Sequence, residues 1–280
     1  MIIRKAIYEA SLKLKKNNIH TSVLDSEILM SKVLNKRKEY IFLNSEKTLN
    51  KEKINNFKNL INERSKGKPI AYITGKKFFW KDEFNVNQNV LIPRPDTELI
   101  VDQILKIYRN KTSLTVLDIG VGSGCILLSI LKEKEGFVGT GVDISSECIK
   151  ICKNNIKKLK LNNKIRLFKS DVDNFSYGKY DLIISNPPYI KKTDLKYLER
   201  DITNFEPKMA LDGGLDGLSE IRKVINKSSK LIKKNGKFVL EIAFNQKKEV
   251  KSLLRKDGFY INSILKDLGN NDRCIISTKI

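Results

Sequence analysis

The run Leu114-Thr115-Val116-Leu117-Asp118-Ile119-Gly120-Val121-Gly122-Ser123-Gly124-Cys125-Ile126 decides the architecture of this chain. It reads as a buried strand, a glycine-rich turn and a helix start, and glycines at such a turn let the backbone approach a ligand closely. From residue 114 onward strand and helix patterns alternate, which argues an α/β domain with a largely parallel sheet. Strands are expected near 114–119, 137–143, 164–169, 180–185, 236–242, 259–266 and 272–279, and helices near 124–134, 146–159, 217–234 and 245–256. The last two strands are joined only by Leu268-Gly269-Asn270-Asn271. So short a turn cannot carry a parallel crossover, and the final pair is expected to be antiparallel.

The glycine spacing is Asp-x-Gly-x-Gly-x-Gly, whereas a dinucleotide fingerprint has two residues between its last two glycines. Asp118 would repel a pyrophosphate. A cofactor with a cation near the turn fits better, and S-adenosylmethionine carries both an amino group and a sulfonium. Asp118, Gly120, Val121, Gly122, Ser123 and Gly124 are the candidate residues around it. The second strand ends at Asp143, placed to accept hydrogen bonds from ribose hydroxyls. The third ends at Ser170-Asp171-Val172, where Asp171 and Val172 are candidates for the adenine amino group and face, and the fourth ends at Asn186. Four candidate groups at the carboxyl ends of four successive strands match where open α/β sheets bind ligands.

In Tyr180-Asp181-Leu182-Ile183-Ile184-Ser185-Asn186-Pro187-Pro188-Tyr189 an apolar strand stops at an amide, two prolines and an aromatic ring. Proline removes a backbone donor and fixes φ, so the chain must turn there. The turn leaves the Asn186 side chain, the Pro187 carbonyl and the Tyr189 ring facing the crevice. Acceptors beside an aromatic wall suit a flat group bearing NH2; the plainer reading is an ordinary strand-ending loop.

Residues 1–70 read as a small helical domain. One stripe is Ile3, Ile7, Ala10 and Leu14, another Val23, Leu24, Ile28, Leu29 and Val33, a third Ile54, Phe57, Leu60 and Ile61. Asp25 and Asn50 stand where helices could start. Its role is either packing or presenting a partner to the rest. Residues 71–95 turn aromatic and β-branched and are expected to form a β-hairpin linker reversing at Lys81-Asp82-Glu83, with a catalytic domain over 96–280. Pro93-Arg94-Pro95-Asp96-Thr97-Glu98 then holds Arg94 in an extended segment before a helix. A stiffened Arg94 is either a solvated linker residue or, preferably, a carboxylate-binding one.

The chain of 280 residues can bury a core without staples, and its four cysteines show no metal-ligand spacing. A metal site is not expected, and with a single histidine, His20, in a polar segment, neither is a histidine-based mechanism. No apolar run approaches a membrane span and the N-terminus lacks a signal-peptide pattern, so a cytoplasmic location is expected. The net charge of +22 comes mainly from lysines spread among many Asn and Ile. Compositional bias and a polyanionic partner explain it equally well.

Together, Ala71-Tyr72-Ile73-Thr74-Gly75, Phe79-Trp80, Leu91-Ile92-Pro93-Arg94-Pro95-Asp96-Thr97-Glu98, the glycine turn, Gly141-Val142-Asp143, Asn186-Pro187-Pro188-Tyr189-Ile190, Glu206-Pro207 and Ala210-Leu211-Asp212-Gly213-Gly214 resemble the release-factor glutamine methyltransferases of the HemK/PrmC family. The resemblance implies a class I S-adenosylmethionine-dependent methyltransferase fold, Rossmann-like, seven-stranded and with its last strand antiparallel. It also implies methyl transfer to the side-chain amide nitrogen of the Gln in the Gly-Gly-Gln loop of peptide-chain release factors, with the release factor as protein partner; nucleic acid is not required, though the basic surface leaves contact with the ribosome or RNA open. In two places the chain departs from the family pattern. Val121 stands where Thr is more usual, and Ala243-Phe244-Asn245 replaces a Gly-containing segment after Glu241.

In this reading Asn186 and the Pro187 carbonyl accept the two N–H bonds of the substrate amide, Tyr189 packs on its plane, and Pro188 and Arg94 complete the substrate site. The same corner suits the exocyclic amine of adenine in DNA or RNA, which is the rival reading. A third is a cofactor-binding protein with a degenerate site, against which the intact acids at 118 and 143 argue.

Overall fold

A computed structural model describes residues 1–280, which divide into two compact units: Met1–Lys76 with Glu199–Phe205, and Lys77–Leu198 with Glu206–Ile280. No helix is long and apolar enough to cross a membrane. The first unit contains helices α1 (Ile3–Lys16), α2 (Ser22–Leu34), α3 (Lys38–Leu43), α4 (Lys51–Ser65) and the short α5 (Ile70–Thr74). Helical spacing puts Ile3, Ala6, Ala10 and Leu14 on one face of α1, and these pack with Leu29, Met30, Phe57 and Ile61 in one apolar cluster. Asn50 caps α4, its side chain accepting from the Lys53 amide, as its position suggested.

Several expectations about this unit are corrected. Val23 and Leu24 are exposed, because the buried face of α2 is carried by Leu29 and Met30. Asp25 does not start a helix; it lies in the first turn of α2, buried, with its carboxylate accepting from Arg64 Nε at 2.7 Å and from Thr21 Oγ1 at 2.9 Å. Arg64 also reaches Asp201 at 2.9 Å, so one buried guanidinium joins two carboxylates. Ala71–Thr74, read as part of a strand, is helical in α5 and closes on left-handed Gly75.

The hairpin is β1 (Lys76–Phe79) and β2 (Asp82–Asn85); it reverses at Trp80-Lys81, with Trp80 at φ +57°, so that of the expected Lys81-Asp82-Glu83 turn only Lys81 takes part and Asp82 and Glu83 already lie in β2. Val90-Leu91-Ile92 joins no strand. There follow α6 (Glu98–Ile107), β3 (Leu114–Ile119), α7 (Cys125–Glu133), β4 (Phe137–Asp143), α8 (Ser146–Lys158), β5 (Ile165–Lys169) and β6 (Tyr180–Ser185). After α9 (Arg200–Phe205), which belongs to the first unit, come α10 (Ser219–Leu231), β7 (Ile232–Glu241), α11 (Lys247–Lys256), β8 (Phe259–Lys266) and β9 (Asp272–Lys279).

The sheet order is β5-β4-β3-β6-β7-β9-β8; the first five are parallel neighbours, and β9 runs antiparallel to both β7 and β8. Because side chains alternate across a strand, Leu182 and Ile184 join one core with α6, α7 and α8, while Ile183 joins the other with α10 and α11. Covering on both faces explains why these strands read as continuous apolar runs. The chain runs from β3 outward through β4 and β5, then returns to the opposite side of β3 as β6. That reversal opens a crevice at the carboxyl ends of β3 and β6.

Candidate active site

Strand register sets the level of the site. Ile119 pairs with Val142 on one side and Ser185 on the other, so Gly120, Asp143 and Asn186 emerge from three adjacent strands at the same end of the sheet. A cavity of about 340 Å³ lies there, a size suited to a small-molecule ligand.

The glycine turn forms one wall. Gly120 and Gly122 have φ of +79° and +53°, conformations that side chains rarely adopt. A Cβ added at Gly120 would meet no atom within 4 Å, so its missing side chain leaves space beside the cavity. Gly120, Val121, Gly122 and Ser123 all border the cavity. Gly124 does not: a Cβ there would lie 2.7 Å from Cys152 Sγ, so this glycine serves the packing of α7 on α8. Behind the turn, fully buried Asn155 of α8 donates to the Ser123 carbonyl at 2.8 Å and exchanges hydrogen bonds with the Asn85 backbone.

Asp143 borders the cavity with its carboxylate already aimed. The Gly122 and Ser145 amides donate to its two oxygens, each at 2.9 Å, while burial raises its pKa. Asp118 lies outside the cavity lining and is 1% exposed, and its Oδ1 has no hydrogen-bond partner. Burial, followed by the neighbouring Asp143, pushes its carboxyl up to about 7. A buried orphan carboxylate oxygen behind a glycine cradle fits a cationic ligand and disfavours a phosphate. These residues therefore fit S-adenosylmethionine, whose amino acid end carries the cation.

Ser170 and Val172 border the cavity, but Asp171 does not. The Asp171 carboxylate accepts from the Asp173 amide at 2.8 Å and caps the short turn Val172–Asn174. Apolar Ile144 and Val172 remain as a wall for a flat base.

At the other end of the cavity stand Asn186, Pro187 and Pro188. Tyr189 is not among the lining residues. Its hydroxyl donates to Glu241 Oε1 at 3.4 Å, its ring packs on the α10 side of the sheet, and burial beside Glu241 raises its pKa. Arg94 does border the cavity, but its guanidinium is paired with Glu206, a nearly buried carboxylate that also accepts from the Ile92 amide at 3.3 Å. The carboxylate expected for Arg94 is thus an internal one.

Two residues that the sequence did not single out stand beside Asn186. Thr97 Oγ1 donates to Glu241 Oε2 at 2.8 Å, and Asn186 Nδ2 donates to Thr97 Oγ1 at 3.5 Å, the long end of the range. Glu241 is 2% exposed at the carboxyl end of β7, next to β6. The available signal was its position, an acid closing the apolar run Phe238-Val239-Leu240 in the manner of Asp118 and Asp143.

Comparison with known proteins places the chain in a family. The PrmC N-terminal domain family matches residues 5–75 and the Methyltransferase small domain family matches residues 95–263. A Release factor glutamine methyltransferase of Caulobacter vibrioides is 34% identical over 276 residues, covering 98% of this chain and 96% of that protein. One from Clostridium acetobutylicum is 34% identical over 282 residues, covering 100% and 99%. A Bifunctional methyltransferase of Rickettsia conorii is 34% identical over 303 residues, and there the match covers 99% of this chain but 58% of the larger protein. A solved methyltransferase from Pyrococcus furiosus superposes with a TM-score of 0.51 at 20% identity, covering 70% of this chain and 88% of that one, a likeness of fold alone. The second unit has the class I methyltransferase fold, and this chain belongs to the release factor glutamine methyltransferase family.

Proposed function

We propose that this protein transfers a methyl group from S-adenosylmethionine to the side-chain amide nitrogen of the Gly-Gly-Gln glutamine in peptide-chain release factors. The observation that carries the reading is the placement of Asn186 and Pro187 on the same cavity as the Gly120–Ser123 cradle and Asp143. A polar strand end suited to an NH2 group thereby faces a site suited to a methyl donor.

Gly120, Val121, Gly122 and Ser123 would hold the amino acid end of the cofactor, with Asp118 behind them as the buried anion. Asp143 would hold the ribose, and Ile144 and Val172 the base. When bound, S-adenosylmethionine supplies an electrophilic methyl group on a sulfonium. An amide nitrogen is a weak nucleophile because its lone pair is delocalised, yet it has two N–H donors. Asn186 Oδ1 and the Pro187 carbonyl accept both, which fixes the nitrogen and turns one face of the amide toward the cofactor site. Positioning of this kind is worth several kcal/mol, up to ~7–11 in the best intramolecular cases. No side chain need act as general base, because the proton can leave after the nitrogen has been alkylated. Tyr189 acts from the rear of the loop, and Arg94 with Glu206 stiffens the rim.

In the same proposal residues 1–70 form the substrate-docking domain, 71–95 the hairpin linker and 96–280 the catalytic domain. Exposed Phe42 and Leu43 on α3 support a docking role, since large apolar side chains on a surface favour a protein partner. The direct test is incubation with methyl-labelled S-adenosylmethionine and three acceptors: a release factor, the same factor with its loop Gln changed to Ala, and nucleic acid. Label is expected on the unaltered factor alone; label on DNA or RNA, or on the Gln→Ala factor, overturns the reading.

A further inference from the structure

A buried acid reaches both ends of the Asn186–Tyr189 turn. Tyr189 donates to Glu241 Oε1 directly at 3.4 Å, and Asn186 is connected to Oε2 through Thr97. A threonine hydroxyl has one proton, and Thr97 Oγ1 gives it to Glu241 at 2.8 Å. Toward Asn186 the same oxygen can only accept. It therefore selects the NH2 end of the Asn186 amide, because the opposite rotamer would set two acceptors against each other. With Nδ2 held by Thr97 at 3.5 Å, Oδ1 is left for the cavity.

We propose that Thr97 and Glu241 are positioning residues that lock the Asn186 amide with its oxygen facing the substrate. This rests on the function proposed above, in which Asn186 Oδ1 accepts from the glutamine amide. Without the lock the amide flips between two nearly isosteric orientations, one of which presents NH2 to NH2. Thr97 is 3% exposed and Glu241 is 2% exposed, so water does not readily substitute for either.

The lock has a protonation requirement. Ionised Glu241 accepts from Thr97; protonated Glu241 can donate to it, which frees the Thr97 hydroxyl to bond Asn186 Oδ1 and favours the unproductive rotamer. Burial pushes the Glu241 carboxyl up to about 7. The groups acting on it are Thr97 and Asp96 from the turn before α6, Tyr189 from the loop after β6, and Arg273 from β9; its charge in turn acts on Cys274 of β9 and Cys125 of α7. Arg273 favours the ionised form, Asp96 opposes it, and Arg273 is itself shared with Asp267 at 2.8 Å.

The test pairs kinetics with a measurement that needs no turnover. Thr97→Val is expected to lower kcat for release-factor methylation on the order of 100-fold with KM for S-adenosylmethionine unchanged, while Thr97→Ser restores most of it. Wild-type kcat is expected to fall as pH drops below about 7, and Thr97→Val to lose that acidic limb. In protein labelled with ¹⁵N-asparagine, the Asn186 side-chain NH2 signal, assigned by its loss in Asn186→Asp, is expected to titrate with Glu241 in the wild type and Thr97→Ser but not in Thr97→Val or Glu241→Gln. An Asn186 signal that does not titrate, or that titrates equally in Thr97→Val, overturns the lock. Absence of label transfer by the wild type overturns the proposed function instead, and the amide signal still decides the lock.

Discussion

Gln246 Nε2 donates to the Tyr189 carbonyl at 3.0 Å, and the same amide group donates to the Gly217 carbonyl at 2.9 Å. Its Oε1 accepts from the Ala243 amide at 3.0 Å, so one buried side chain closes the turn after β7 and holds the loop after β6. The turn at Ala243 therefore does not call for a glycine. The Gln246 backbone N–H donates to the Ala243 carbonyl at 3.0 Å, and Ala243 is not among the residues with positive φ. Gln246→Ala is expected to destabilise the protein by about 1–3 kcal/mol per orphaned buried acceptor and to lower turnover. Denaturant unfolding beside steady-state kinetics checks both; unchanged kcat in the variant would show that Tyr189 needs no such anchor.

Gly213 sits against the same loop. A Cβ there would lie 2.8 Å from the Tyr189 Cα and carbonyl carbon and from the Gly217 carbonyl oxygen, all backbone atoms that cannot move alone. Gly213→Ala is expected to displace Tyr189 and cut kcat at least about 10-fold, since catalytic geometry tolerates little misplacement. Cofactor affinity should stay near wild type, because no residue of the glycine cradle is touched. Calorimetric titration with S-adenosylhomocysteine separates the two effects.

Cofactor binding is expected to depend on pH through Asp118. Its folded pKa of about 7 lies above the ordinary carboxylate value of the unfolded chain, so its contribution to stability is present below that unfolded value and lost as pH rises through about 7. A bound cation reverses that preference by favouring the ionised carboxyl. Affinity for S-adenosylmethionine is thus expected to rise with pH up to about 7 and level off above it. Asp118→Asn should bind more weakly without that slope, and ligand-free Asp118→Asn should be more stable than wild type at pH 8 by on the order of 2–4 kcal/mol. Titration calorimetry and thermal unfolding at pH 6 and 8 give the comparison.

Arg64 is expected to be a stability residue and not a catalytic one. Its side chain and that of Asp25 are 8% and 3% exposed, so Arg64→Met leaves a buried carboxylate without its cation. Loss of one partner of a buried pair costs about 3–5 kcal/mol, whereas removal of both is far milder. Arg64→Met should therefore unfold at lower denaturant, and adding Asp25→Leu should restore much of the difference. A double variant no better than the single one would assign the loss to packing.

Much of the catalytic unit was legible because its signals are local. Tyr180–Ser185 is apolar throughout as a strand covered on both faces must be, and the short Leu268–Asn271 turn forced β8 and β9 to be antiparallel. Asp143 was legible for the same reason, as an acid closing a strand. Other placements turn on partners that no strand or helix pattern announces. The Asp171 carboxylate accepts from the Asp173 amide in its own turn, and the carboxylate beside Arg94 is Glu206, 112 residues away along the chain. Val23 and Leu24 fit a helical stripe with Leu29, yet the packing of α2 against α1 and α4 buries Leu29 and Met30 and leaves the first two exposed.

By itself the sequence determined the alternation of elements, the glycine turn, the strand-ending acids and the Asn186–Tyr189 corner, because each is written in consecutive residues as periodicity or as a backbone constraint. The tertiary structure alone decided which buried acid supports that corner. Thr97, Asn186 and Glu241 lie 89 and 55 residues apart along the chain, and only the pairing of β6 with β7 and the docking of the turn before α6 bring them within hydrogen-bond reach.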